Sequence, residues 1–228
     1  MGLYLKIGHI QSRRDQLGLN IHKLQHRNDV VAVDMLVKDW SRRGDKSPIR
    51  YYKPINVSND DTLEHSDSDF KAKDFMLVYQ TEAQANMMVD NPRSLCMDGT
   101  HGCTGYGYHL LTVMVIDKNG QGLCVGWAIV SRENEFTWQL LGKAFRPQCH
   151  KLKPKVGMAD LAMSAWNGMS IVFPSLEFHL LCWWHIDQKV QLHCHGSKCK
   201  VQVMYAHVEC IVWKVHSMCT FGKYFPNV

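Results

Sequence analysis

Two apolar runs separated by a four-residue turn constrain this chain more than any other feature. Residues 108–116 read Tyr-His-Leu-Leu-Thr-Val-Met-Val-Ile, and 123–130 read Leu-Cys-Val-Gly-Trp-Ala-Ile-Val. Between them stands Asp117-Lys118-Asn119-Gly120, and Asn-Gly readily takes the positive φ values that a tight hairpin turn requires. The runs are therefore expected to be antiparallel neighbours. The first is almost continuously apolar, as expected of a strand whose two faces are both covered.

The pattern extends in both directions. A short strand is expected over 94–97, ahead of the hairpin. After it, residues 133–145 are amphipathic, with Phe136, Leu140, Leu141 and Ala144 on one face, so they read as a helix. A strand over 155–159, a helix over about 161–169 and a last strand over 178–182 follow. The order β-β-β-α-β-α-β is that of a ribonuclease-H-like mixed α/β sheet, in which a crossover helix brings the fourth strand parallel to the first. A small, mainly helical N-terminal region precedes it.

That order gives two acids a common address. The strand over 94–97 runs into Asp98, and the strand over 155–159 runs into Asp160. Neighbouring strands would bring the two carboxylates together near one end, and paired carboxylates bind hard divalent cations through oxygen. Two such ions about 3.5–4 Å apart activate a water and stabilise a leaving 3′-oxygen. The ordinary alternatives are a turn aspartate bonding the amides of Thr100 or His101, and a helix N-cap at Asp160.

The ordered set Cys96-Met97-Asp98-Gly99-Thr100-His101-Gly102, Ala128-Ile129 with Glu133 and Trp138, and Met158-Ala159-Asp160 with Ala165 and Asn167 resembles the Mutator-like (MULE) transposase domain. Phe173-Pro174 and Leu181-Cys182-Trp183-Trp184-His185 complete the resemblance, which covers about 95–186. It implies a ribonuclease-H-like core with a DDE catalytic triad that cuts and joins DNA, at transposon ends, using Mg2+ or Mn2+. Asp98 and Asp160 match the first and second acids. Cys182 and His185 match the family's C-x2-H pair. Gly99 and Leu161 depart from many relatives in minor ways.

The third acid is the larger departure. The family's glutamate sits on a helix beyond the C-x2-H pair, and after Asp187 this chain offers only Glu209. Residues 190–228 carry no sustained helical stripe but His193, Cys194, His195, Cys199, Cys210, His216 and Cys219. A truncated core, or one whose tail has drifted, accounts for that change of character. A zinc site pairing Cys182 and His185 with part of this cluster is a minor alternative, because no spacing matches a standard finger. His101 and His109 read as hydrogen-bonded residues, Glu133 as a helix-start glutamate or a group orienting a metal ligand, and Trp127, Trp138 and Trp166 as core.

The expected organisation is a partly helical region over 1–44, a polar linker over 45–74, a strand–helix lead-in over 75–93, the core over 94–188 and a Cys/His-rich tail over 189–228. In the first region Asn28-Asp29 can cap a helix with Val30, Val33, Leu36, Val37 and Trp40 at helical spacing. In the lead-in, 75–79 is a strand and Thr81 caps a helix that Asn91-Pro92 ends. No zinc-containing DNA-binding region is expected over the first 90 residues, since His9, His22 and His26 lack a nearby cysteine.

The formal charge of +5 is compatible with nucleic acid but too small to require it. With no apolar run of membrane-spanning length and charges near the start, neither a membrane span nor a secretion signal is expected. Nine cysteines without a secretion signal read as reduced thiols in an intracellular or nuclear protein. The reading is thus a transposase-derived protein acting on DNA rather than on a small molecule, and it is compatible with a homo-oligomer. It is an enzyme if the third acid is present, and otherwise a non-catalytic DNA-binding module of the same descent.

Overall fold

The computed structural model describes residues 28–56, 70–102 and 104–186. Its centre is a seven-stranded mixed sheet. The strands are β1 (Ile49–Lys53), β2 (Met76–Tyr79), β3 (Ser94–Thr100), β4 (His109–Ile116), β5 (Gly122–Val130), β6 (Val156–Ala159) and β7 (Phe178–Leu181). They lie in the order β1-β2-β5-β4-β3-β6-β7. The pairs from β1 across to β3 are antiparallel, while β3–β6 and β6–β7 are parallel. The helices are α1 (Asp29–Ser41), α2 (Glu82–Asp90), α3 (Glu135–Phe145) and α4 (Met163–Val172). The mixed α/β architecture matches the sequence reading, with β1 and β2 added beyond β5.

The turn at 117–120 forms as its residues dictate. Asp117 accepts the amides of Asn119 and Gln121 at 2.8 and 2.7 Å, and Gly120 alone takes the left-handed conformation, at φ 78°. Thr81 and Gln84 cap α2 reciprocally, each side chain bonding the other's backbone amide. Asn28 caps α1 by accepting from Val30 and Val31. The buried side of α1 is Ala32 and Val37, however, and Val30 is exposed, so the anticipated stripe is rotated at its start.

Two expectations are corrected. β4 is not covered on both faces: Leu111, Val113 and Val115 are fully buried, whereas the alternate residues are half-buried or exposed. Its buried side joins the main core with Trp138, Leu141 and Phe145 of α3. On the opposite face a separate cluster of Val37, Phe75 and Leu77 lies under α1. The stretch read as a polar linker also contains a strand, β1. Its Lys53 is buried and donates to the Asp74 carbonyl at 2.7 Å, with the Pro54 and Ala72 carbonyls at 3.3 and 3.4 Å. A buried ammonium requires such acceptors; burial lowers the Lys53 pKa and nearby Asp74 opposes that. Asp74 also pairs with Arg132 at 2.9 Å, fastening this margin to the end of β5.

Helices α3 and α4 cross on the main-core face. Gly168 makes the crossing close: a Cβ there would overlap the Glu135 carbonyl oxygen and stand 2.8 Å from Gln139 N and Trp138 Cβ. The start of α3 is further tied to α4 by Asn167, whose amide donates to Glu135 at 3.2 Å.

Candidate functional site

β3 extends through Thr100, so Asp98 lies inside a strand rather than just past its end or in the turn of the alternative reading. Its neighbour on one side is β4, where it pairs with Thr112. On the other side Cys96 pairs with Met158 of β6. Continuing that parallel register two residues brings Asp98 level with Asp160, which directly follows β6. In turn Met158 pairs with Leu180, and the Cys182 amide prolongs the β6–β7 ladder by donating to Ala159 O at 2.7 Å. Asp98, Asp160 and Cys182 thus occupy corresponding positions on three adjacent parallel strands. Residues two apart on a strand share a face.

The Asp98 side chain is 47 % exposed. Its Oδ1 stands 3.5 Å from His185 Nε2, and its Oδ2 accepts from the Thr100 hydroxyl at 3.3 Å. His185 reaches it from the helical turn over 183–186. At Asp160, Oδ1 accepts the Ala162 amide at 2.9 Å. This is a local turn ahead of α4 rather than an N-cap, since Ala162 holds the cap position and makes no side-chain cap bond. His179 lies near Asp160 and stacks on Trp166 with centroids 4.6 Å apart. Burial lowers the His179 pKa, and the Asp160 charge opposes the shift. Cys182 is half-buried, not the fully buried strand cysteine of the alternative reading.

No third carboxylate joins Asp98 and Asp160 among the described residues. Glu209 lies outside the described residues, as do the tail cysteines and histidines and His9, His22 and His26.

The structure also assembles a group that sequence spacing did not indicate. His101 follows β3, His109 opens β4, and Glu133 precedes α3; their ligand-type atoms all lie within 4.8 Å of one another. The antiparallel register pairs Thr100 with Leu110, which brings His101 back to His109. Gly99 explains how Glu133 gets in: a Cβ there would overlap Glu133 Oε2 and stand 2.6 Å from Oε1. The signal available in the sequence was this glycine, which is required by the approach of Glu133 and not by a turn. The three anticipated core tryptophans take part in packing. Trp138 is fully buried and donates to Glu133 Oε1 at 2.9 Å, Trp127 stacks on Tyr79, and Trp166 on His179.

A mixed sheet that delivers two acids to the carboxyl ends of adjacent parallel strands defines a class of α/β proteins suited to chemistry at that edge. Residues 94–189 match the family model of the MULE transposase domain. The match points to a transposase-derived function, with the DNA interaction and divalent-metal use general to such proteins. No curated protein matches the chain. No helix among the described residues is long and apolar enough to cross a membrane.

Proposed function

We propose that the chain is a DDE-type transposase core with a ribonuclease-H-like fold, which cleaves and joins DNA strands with Mg2+ or Mn2+ held by Asp98 and Asp160. The observation that carries this is the β3–β6 register, which levels the two acids on neighbouring parallel strands. The order β5-β4-β3-β6-β7 supports the fold reading, being an antiparallel meander followed by two parallel strands beside its first member.

The donor set fits hard divalent cations. Both residues offer carboxylate oxygen, the preferred ligand type. Asp98 is accessible, and Asp160 Oδ1 alone is engaged by backbone. When bound, such ions supply an activated water and charge neutralisation at the leaving 3′-oxygen. The chain's own residues do the positioning. β3 fixes Asp98 between β4 and β6, the Ala162 amide orients Asp160, and His185 and Thr100 set the Asp98 carboxylate. Glu209 remains the sequence candidate for the third acid. In the domain division proposed, the core spans 94–188, the preceding segments support it, and the protein works on DNA in the nucleus or elsewhere within the cell.

A strand-cleavage assay on linear duplex and supercoiled plasmid tests this, comparing the full chain with Asp98→Ala and Asp160→Ala in Mg2+ and Mn2+. Cleavage by the full chain and its loss in both variants is the expected result. Equal cleavage by all three removes the site. A second reading is a non-catalytic module of the same descent that binds DNA. It requires binding that weakens steeply with salt as phosphate contacts release counterions, without any cleavage.

A further inference from the structure

We infer that His101, His109 and Glu133 form a zinc site, separate from the Asp98/Asp160 pair and independent of the reaction proposed for it. Four observations converge on this cluster. Their nitrogen and oxygen atoms all lie within 4.8 Å of one another, and His101 Nε2 is 3.5 Å from Glu133 Oε2. Ligands about 2.0–2.1 Å from a tetrahedral zinc stand roughly 3.3 Å apart, so that edge is already near its bound length.

Glu133 is oriented for the task. Trp138 Nε1 holds its Oε1 at 2.9 Å, while Oε2 is buried without a hydrogen bond. Outer partners of this kind fix a ligating carboxylate's direction. His109 Nδ1 is likewise buried without a hydrogen bond, a condition that costs free energy unless something occupies it. Gly99 lacks the side chain that would push the carboxylate away.

The ligand chemistry separates this site from one for hard cations and admits zinc. Two imidazoles and one carboxylate suit zinc, whereas magnesium and calcium prefer all-oxygen surroundings. His101 is 68 % exposed, so the cluster opens to solvent on its side and leaves a fourth position for water. The site lies on the face of β3 opposite Asp98, since Gly99 backs onto Glu133 and adjacent strand residues point to opposite faces. Zinc there would clamp the segment after Asp98, the start of β4 and the entry to α3 at a single point.

Co2+ substitutes for zinc with visible absorption that reports few-coordinate nitrogen and oxygen ligation. The metal-stripped full chain is titrated with Co2+ in excess Mg2+, then with Zn2+ in competition, and zinc content is measured after dialysis. The variants are His101→Ala, which removes an exposed side chain, and Glu133→Gln, which retains an acceptor for Trp138. Glu135→Gln, the carboxylate facing Asn167, is the control, and far-UV circular dichroism verifies each fold. The expected result is one Co2+ with that spectrum, displaced by Zn2+, and binding weakened by more than about tenfold in both variants but not in the control. Thiolate charge-transfer absorption would assign the metal to cysteine ligands and overturn the inference. So would no binding by the wild-type chain, or unchanged affinity in His101→Ala and Glu133→Gln.

Discussion

Replacing Gly168 with alanine should destabilise the protein, although the same change inside a helix ordinarily helps. The intrinsic preference favours alanine over glycine by about 1 kcal/mol. Here the added methyl meets backbone. It would overlap the Glu135 carbonyl oxygen and stand 2.8 Å from both Gln139 N and Trp138 Cβ, against 3.4–4 Å for ordinary contact. No side-chain tip can swing aside to accommodate it, so α3 and α4 must separate by more than half an ångström. Over-packing of a tight interior costs about 1–3 kcal/mol, and a rigid backbone wall belongs at the upper end. With the helical preference offset, the net loss is about 2 kcal/mol. For a chain of this size that lowers the midpoint of thermal unfolding by roughly 4–8 °C. Urea denaturation should show a lower midpoint at unchanged slope. Gly142→Ala is the internal comparison, because its nearest atoms are Met169 Sδ at 3.0 Å and Val172 Cγ2 at 3.1 Å, which are side-chain atoms. It should cost less than about 1 kcal/mol. A Gly168→Ala protein as stable as the wild type, or more so, would refute the reasoning about this crossing.

Burial pushes the Cys149 thiol up to about 11, so site-resolved alkylation at pH 8 should label exposed Cys124 well before Cys149 until denaturant is added. The raised pKa also sets a sign: the contribution is intact below about pH 8.5, where an unfolded thiol keeps its proton. It is lost as pH climbs toward 11, since the unfolded chain releases the proton first. Equal labelling of the two cysteines in the folded protein would contradict this. The Tyr52 hydroxyl donates to Asp34, and burial together with that bond raises the phenol's pKa. Tyr52→Phe should cost about 1.5 kcal/mol of stability by chemical denaturation, the lower range for a hydrogen bond to a charged group. No change in the denaturation midpoint would mean that α1 is held to β1 by packing alone.

Much of the sheet was legible because its signals are local. Apolar runs bounded by Asp117–Gly120 identify β4 and β5, and Thr81 with Gln84 marks the start of α2. Asp98 and Asp160 were legible as a pair because strand order alone predicts their adjacency. Other features depend on partners distant in the chain. β1 carries Arg50 and Lys53, charges that disguise a strand, and Lys53 is tolerated only because carbonyls from 54, 72 and 74 surround its ammonium. Gly99 reads as a turn residue until Glu133 is seen against it. Likewise His101, His109 and Glu133 have no common spacing, and only the β3–β4 register and the β5–α3 corner bring them together.

The two acids are not held with equal firmness. Asp98 lies inside a seven-residue strand and is paired with Thr112 of β4, whereas Asp160 stands just past a four-residue strand and is steadied mainly by one amide. Backbone inside a paired strand opens rarely, and a short strand's end opens often. Amide hydrogen exchange should therefore be slow around Asp98 and fast around Asp160. Any closing of the carboxylates around a cation or a phosphate then falls to the Asp160 side, which moves toward a fixed partner. A tolerance for substrates of different width would originate in the loop between β6 and α4, with β3 serving as the reference from which that width is set.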